Sequence, residues 1–312
     1  ISGTSLTLSQ VASGSSTSTL SFYTPHGIVV GGGDNTATGS YSFIGGGGDA
    51  GTAGNRNVAS GAWASVVGGM KNSASQEASF VGGGYGNTAS GLGSAVVGGG
   101  LYGSIQQGQF AANLASGQAA FVGAGFNNIA SGYGASVIGG NSNIASSNYA
   151  VASGAYGTTR SIVNSFAYGS VPIAGAYGVS QSALLVLGIE TTNATATVLR
   201  SDTSAASGTN QVILPNNSAY FFTGEVVSGV TGGGNTKGWT IEGVIKRGAN
   251  AASTALVGTP TVTSTYADAG ASTWVIAVTA DTTNGGLAVT FTGQASTTIR
   301  TVAQIRTTEM TY

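Results

Sequence analysis

Between residues 27 and 154 one phrase of about fifteen residues is written again and again, and it constrains the fold more than anything else in the chain. Its clearest copy runs from Ser131 to Ser146, Ser-Gly-Tyr-Gly-Ala-Ser-Val-Ile-Gly-Gly-Asn-Ser-Asn-Ile-Ala-Ser. The tetrapeptide Asn-x-Ala-Ser/Thr begins seven times, at Asn35, Asn57, Asn72, Asn87, Asn113, Asn128 and Asn143, with spacings of 22, 15, 15, 26, 15 and 15. Fifteen residues cannot enclose a core of their own, so each copy has to stack on the next. The repeat therefore predicts a solenoid.

Each copy carries an apolar pair before its glycines: Val29-Val30, Phe43-Ile44, Val66-Val67, Phe80-Val81, Val96-Val97, Phe121-Val122 and Val137-Ile138. The second member is always β-branched, which favours a strand over a helix. Strand neighbours point to opposite faces, so two adjacent apolar residues imply that both faces are covered. Phe43, Phe80 and Phe121 are expected to face one way and Ile44, Val81 and Val122 the other, one set inside the coil and one against a partner chain. A small residue stands three places before the glycine (Ser42, Ser65, Ser79, Ala95, Ala120, Ser136), as a narrow lumen would require. The glycines and the Asn-x-Ala-Ser-Gly segment read as the two corners of the coil.

Two copies are longer, and both place their extra residues after the glycines, at Gly46–Arg56 and Gly99–Ala112. Insertions in solenoids form loops on one face, often the binding face, although spacers over a seam between chains would look the same. The second loop offers Tyr102, Gln106, Gln107, Gln109 and Phe110, rings and amides suited to sugar faces and hydroxyls, and it is the leading receptor-contact site. Tyr41, Trp63, Tyr85, Phe126, Tyr133 and Tyr149 occupy variable corner positions. They suit either a ladder for stacking on sugars or packing against the next turn or chain.

On these residues the repeat resembles the head of trimeric autotransporter adhesins, a parallel β-roll in which three chains pack about an axis. It is equally similar to the coil repeats of bacteriophage tail fibres. The likeness covers roughly 40% of the chain, and it implies a homotrimer.

From Gly154 to Gly188 the repeat decays, and 155–188 reads as a neck after a cap at 1–26 and the β-roll at 27–154. Residues 189–312 differ in kind, with candidate strands at 194–199, 210–214, 220–229, 238–247, 254–265, 273–280, 286–292 and 298–309. Turn signals at Pro215-Asn216-Asn217, Gly232-Gly233-Gly234-Asn235 and Asn284-Gly285-Gly286 separate them. The pattern predicts an antiparallel β-sandwich, jelly-roll-like. The segments Leu214–Gly224, Trp239 with Gly243–Arg247, Thr279–Asn284 and Thr297–Arg300 resemble a C-terminal domain common on phage tail fibre proteins, which sits at fibre tips after coil-repeat shafts.

Charged residues make up 6% of the chain, against roughly 25% in an ordinary soluble domain. Nine basic residues face ten acidic ones, which supports neither a nucleic-acid groove nor an anionic-membrane patch. Cysteine is absent, excluding disulfides and thiolate metal sites. The longest apolar run, Ala183–Leu187, is far short of the ~20 residues of a spanning helix, so no membrane insertion is expected. Lys237 is followed by Gly238, which rules out a phosphate-binding loop at the glycine run before it. The sole histidine, His26, lacks partners for seryl catalysis and reads as structural or solvated. Asp34, Asp49 and Glu77 are the acids of the coil from which a glycan-cleaving pair could be drawn.

The sequence therefore leads to an all-β, homotrimeric protein with a β-solenoid shaft and a C-terminal sandwich, acting as a host-surface adhesin of a phage tail fibre. No catalytic residue, metal or cofactor is expected. Its partners would be its own copies, other tail proteins, and a host glycan or outer-membrane protein, and its place the extracellular virion tail. A bacterial trimeric adhesin head and a polysaccharide-cleaving tailspike are the alternatives.

Overall fold

The structure, a computed structural model, describes residues 22–23, 26–49, 51–100, 111–171, 173 and 176–312. Among them the only helical pieces are three-residue 3-10 turns, and everything regular is strand. The chain divides into two compact units after Ala145.

The first unit is a parallel β-solenoid in which every turn supplies two very short strands. One wall stacks Gly27–Val29, Phe43–Ile44, Ser65–Val66, Phe80–Val81, Ala95–Val96, Phe121–Val122 and Ser136–Val137, all parallel and in register. Ahead of them, Phe22–Tyr23 pairs antiparallel with Gly27–Val29. The second wall is a seven-stranded parallel sheet from Thr36–Ala37 to Ile144–Ala145. Those strands are the two residues after each repeat asparagine, a segment that the sequence reading treated as a corner. The difference has a physical cause: the asparagine turns inward and bonds to its copies above and below, which leaves the following two residues extended.

Asn57, Asn72, Asn87, Asn113, Asn128 and Asn143 are all fully buried. Each backbone N–H donates to the side-chain oxygen of the preceding asparagine, as Asn72 does to Asn57 and Asn87 to Asn72, both at 3.0 Å. From Asn57 to Asn128 each Nδ2 donates to a glycine carbonyl in the next turn, for example Asn72 to Gly84 at 2.9 Å and Asn87 to Gly99 at 2.8 Å. A buried amide costs free energy unless its donors and acceptors are met, and here the same three partners recur at every turn. The longer copies do not break the column. Asn57 still donates to Gly46 across the first insertion, and Asn113 to Gly98 and Asn87 across the second.

The remaining lumen is filled by Ile44, Val66, Val81, Val96, Val122 and Val137 and by alanines such as Ala59, Ala74 and Ala89, all at 0% exposure. Small residues line it as expected, but not all of those named from the sequence. Ser42, Ser79 and Ala120 are buried, whereas Ser65, Ala95 and Ser136 pair beside the outward phenylalanines, and Ala64, Ser94 and Ala135 take the lumen positions instead.

The second unit begins with two parallel strands, Val151–Gly154 and Phe166–Gly169, one repeat apart. Ser180–Thr191 then pairs antiparallel with Phe166–Gly169, and along its whole length with the last strand, Ile299–Thr311. The sheet continues through Ser218–Val230 and Thr236–Arg247 to the edge strands Ala255–Leu256 and Thr261–Ala267. A smaller antiparallel sheet is centred on Gly286–Thr292, flanked by Val275–Asp281 on one side and by Thr197–Val198 and Val212–Ile213 on the other.

One core joins the two sheets of this sandwich. Phe291 meets Trp274 and Trp239 edge-on at 6.1 and 6.3 Å, within a cluster that includes Leu185, Tyr220, Phe222, Ile241 and Ile305. Ile299–Thr311 alternates strictly between buried and exposed residues, the period-2 signature of a strand with one face on a core.

Candidate binding surfaces of the solenoid

The outer face of the first wall carries an apolar pattern that the paired residues of the sequence concealed. Two columns of side chains run along it. The first reads Phe43, Ser65, Phe80, Ala95, Phe121, Ser136; the second, two residues further on in each turn, reads Gly45, Val67, Gly82, Val97, Gly123, Ile138. Large and small alternate in both columns, out of phase, so the face is a checkerboard. At Gly82 the reason is visible. A Cβ there would strike the Val97 carbonyl oxygen, and the Phe80 ring would lie 3.4 Å from it, so the ring leans over the glycine between Val67 and Val97.

Phe43, Phe80 and Phe121 are 38%, 36% and 38% exposed, and Val67, Val97 and Ile138 are 50–60% exposed, while Ile44, Val81 and Val122 are sealed in the lumen. The apolar pairs thus belong to two registers. In the Phe copies the second member points inward, and in the Val-Val and Val-Ile copies the first does. Position nine after each asparagine identifies the inward residue in every copy. That count would have revealed Val67, Val97 and Ile138 as surface residues.

A second feature lies at the corner after the asparagine strand. His26, Tyr41 and Trp63 form a stack, with ring centroids 5.3 and 6.1 Å apart and planes within 21° and 7° of parallel. Tyr41 and Trp63 are more than half exposed, and both hold a left-handed backbone conformation at the turn. The next turn has Ala78 at this place, flanked by the exposed Gln76 and Glu77. The other rings do not join a single exposed ladder: Tyr85 is 7% exposed, built into the wall by its bridge to Met70, and Phe126 bridges to Asn141. Tyr133 and Tyr149 are exposed.

Tyr102, Gln106, Gln107, Gln109 and Phe110 lie outside the described residues. Two acids of the coil, Asp34 and Asp49, are each held by a donor, one a backbone N–H and the other a side-chain amide. Asp34 accepts from the Gly51 N–H and Asp49 from Asn55 Nδ2, both at 3.0 Å, and the bridge between Gly33 and Gly48 sets the two on consecutive turns. Among the described residues no three histidine, aspartate or glutamate side chains gather as a metal site would need. No described helix is long and apolar enough to cross a membrane.

No family model matches the chain, and no curated protein does. Among solved structures it is similar to the crystal structure of the Acinetobacter baumannii phage AM24 tailspike protein, with a TM-score of 0.24 and 8% sequence identity. The match covers 89% of this chain, which spans about half (54%) of that tailspike.

Proposed function

We propose that this chain is the host-surface-binding component of a phage tail fibre, working as a homotrimer in the extracellular virion tail. The observation that carries the oligomeric part of this reading is the checkerboard of Phe43, Val67, Phe80, Val97, Phe121 and Ile138 on the outside of an otherwise weakly charged solenoid, while the host-surface part rests on the resemblance of the repeat and the C-terminal segments to phage tail fibre proteins. A continuous apolar surface of this kind marks an association site. Because its period is that of the coil itself, a parallel copy of the same coil matches it turn for turn. The three-fold arrangement comes from the resemblance to adhesin heads and tail-fibre coils.

We assign host contact to the Gly99–Ala112 insertion, on the rings and amides that Tyr102, Gln106, Gln107, Gln109 and Phe110 supply in the sequence, and to the exposed Tyr41–Trp63 corner. The ligand would be a surface glycan or an outer-membrane protein. Deleting residues 100–110 tests this assignment. A trimer that stays folded but no longer adsorbs to host cells supports it, and unchanged adsorption moves recognition to the C-terminal unit.

One observation favours a second reading, the polysaccharide-cleaving tailspike. Asp34 and Asp49 stand on consecutive turns, and a retaining glycosidase needs two carboxyl groups about 5–5.5 Å apart. Release of reducing ends from capsule or lipopolysaccharide, lost in Asp34→Asn, would establish cleavage in place of simple adhesion.

A further inference from the structure

The large sheet of the second unit has two unlike faces. One rests on the sandwich core, while the other presents Tyr168, Val186, Phe221, Val227, Val302 and Met310 at 39–56% exposure. Register gathers most of them into two groups. Val302 stands directly opposite Val227 with Val186 diagonal to it, and Met310 is diagonal to Phe221. Val186 and Val302 also line a hollow of about 520 Å³ beside the loop that begins at Arg200, which leaves room for a neighbour's side chain. An antiparallel sheet that meets water on one face carries polar residues there, and apolar groups of this size on a protein surface mark an association site.

Two observations identify the occupant as another copy of this chain. The sheet begins with two copies of the solenoid repeat, in which Ala152 and Ala167 are sealed at 0% exposure and Val151 and Phe166 lie on the outer face. Phe166 is paired with Leu184 on the next strand, so the pattern that matches a parallel copy turn for turn runs onto the sandwich sheet. The second observation is charge. Arg306, Lys246, Glu225 and Glu242 are exposed on the same face, and none belongs to the ion pairs of the described residues, Arg160–Glu309 and Arg300–Glu190. Arg306 and Glu242 stand on either side of Thr223, two strand spacings or about 9.5 Å apart at the backbone. Two unpaired cations and two unpaired carboxylates make the face complementary to itself, whereas an anionic membrane or a nucleic acid calls for a single sign.

We infer that this face is a second self-association surface, packed against the same sheet of neighbouring copies, with Arg306 of one copy opposite Glu242 of the next. The apolar groups supply the affinity, while the charges align the copies and reject other registers. Each of the two surfaces, coil and sandwich, contributes part of the association, so breaking either one releases the chains. The number of copies rests on the trimeric reading above; the face itself rests on the sheet's own residues.

Sedimentation equilibrium of the full chain across protein concentration tests the inference, with Val97→Asp in the coil as the reference. Phe221→Asp should sediment as a 30.3 kDa monomer while the emission of the buried Trp239 and Trp274 stays native. Arg306→Glu changes an exposed position without an ion pair, so the fold should survive it, and by setting like charges against each other it should raise the dissociation constant at least roughly tenfold. Adding Glu242→Arg to it restores an opposite pair between copies and should recover most of that loss; no recovery would overturn the match between the two residues. If Phe221→Asp and Arg306→Glu both keep the wild-type mass and affinity while Val97→Asp dissociates, the sandwich face is overturned and the coil seam stands. The reverse pattern supports the face and removes the seam, and a wild-type protein that is monomeric at every concentration overturns both.

Discussion

Arg160 Nε lies 3.1 Å from Glu309 Oε2, joining the loop between the two parallel strands of the second unit to its final strand, with both side chains at 10% exposure or less. Glu309 also accepts from Gln181 Nε2 and Thr307 Oγ1, each at 2.7 Å. The Arg160 guanidinium stands 5.6 Å over the ring of the buried Tyr220. Burial, with the Glu309 charge adding to it, holds the Tyr220 hydroxyl well above its ordinary range, so the ring stays neutral.

Breaking such a buried pair from one side strands a charge. Arg160→Met should destabilise the second unit by about 3–5 kcal/mol, whereas Arg160→Met combined with Glu309→Gln should recover much of the loss. Urea unfolding followed by tryptophan fluorescence reads both, since Trp239 and Trp274 lie in that core. Additive losses in the double variant would show that the two residues act independently.

The asparagine column should be the most sensitive line of the solenoid. Asn87→Ala leaves the Asn113 N–H and the Gly83 carbonyl without the partners they have at 3.1 and 2.8 Å. At about 1–3 kcal/mol for each stranded buried group, the loss should be about 2–6 kcal/mol. Gln118→Ala, on the exposed corner, should stay within about 0.5 kcal/mol. Thermal melts of the two variants side by side decide whether the ladder or the general packing of the coil dominates.

Acid should weaken the sandwich through two carboxylates. Burial raises the Asp281 carboxyl, but hydrogen bonds from the Asn284 N–H and Nδ2, Gln211 and the Thr283 N–H outweigh it and hold the group below its ordinary 3.8. At Asp202 the Ser204 hydroxyl leads the hydrogen bonds that do the same. A carboxyl depressed in the folded state stabilises fully above its unfolded value, and that contribution disappears as the pH falls through the folded value. The urea midpoint should be flat from about pH 7 to about pH 5 and fall below about pH 4. Asp281→Asn should lower the neutral midpoint and blunt that fall; a midpoint that improves on acidification would contradict the assignment.

These lines differ in how far the sequence disclosed them. The asparagine spacing made the solenoid legible because a ladder of identical amides needs identical residues at a fixed interval. The sandwich was legible from alternation: Gly286–Thr292 was read at its observed limits and Ile299–Thr311 within two residues of them, while one candidate, 254–265, is two strands, Ala255–Leu256 and Thr261–Ala267. The checkerboard was hidden because a Phe-Val pair and a Val-Val pair look equivalent as strings, and only the position of the asparagine shows that one is shifted by a residue. Such a shift exchanges the two faces of a strand. The hollow lined by Val186, Arg200 and Val302 was invisible, since it brings together three segments that are far apart in sequence.

The shifted registers make the last prediction sharp. If the outer wall is the seam between chains, then Phe80→Asp and Val97→Asp put a charge into that seam without touching the lumen, while Val81→Asp puts one inside the coil. The first two should yield a monomer of 30.3 kDa that keeps its β-sheet circular dichroism, and the third should unfold the coil. Each half-exposed Phe or Val buried against a neighbour contributes on the order of 1 kcal/mol, so the checkerboard supplies several kcal/mol per chain, and a single aspartate with no partner is enough to offset it. Because no charged side chain stands in either column, association should resist sodium chloride and strengthen in sulfate, as apolar contacts do. Sedimentation equilibrium across protein concentration checks all of this. A wild-type protein that remains a 30.3 kDa monomer would remove the seam, and with it the trimeric shaft.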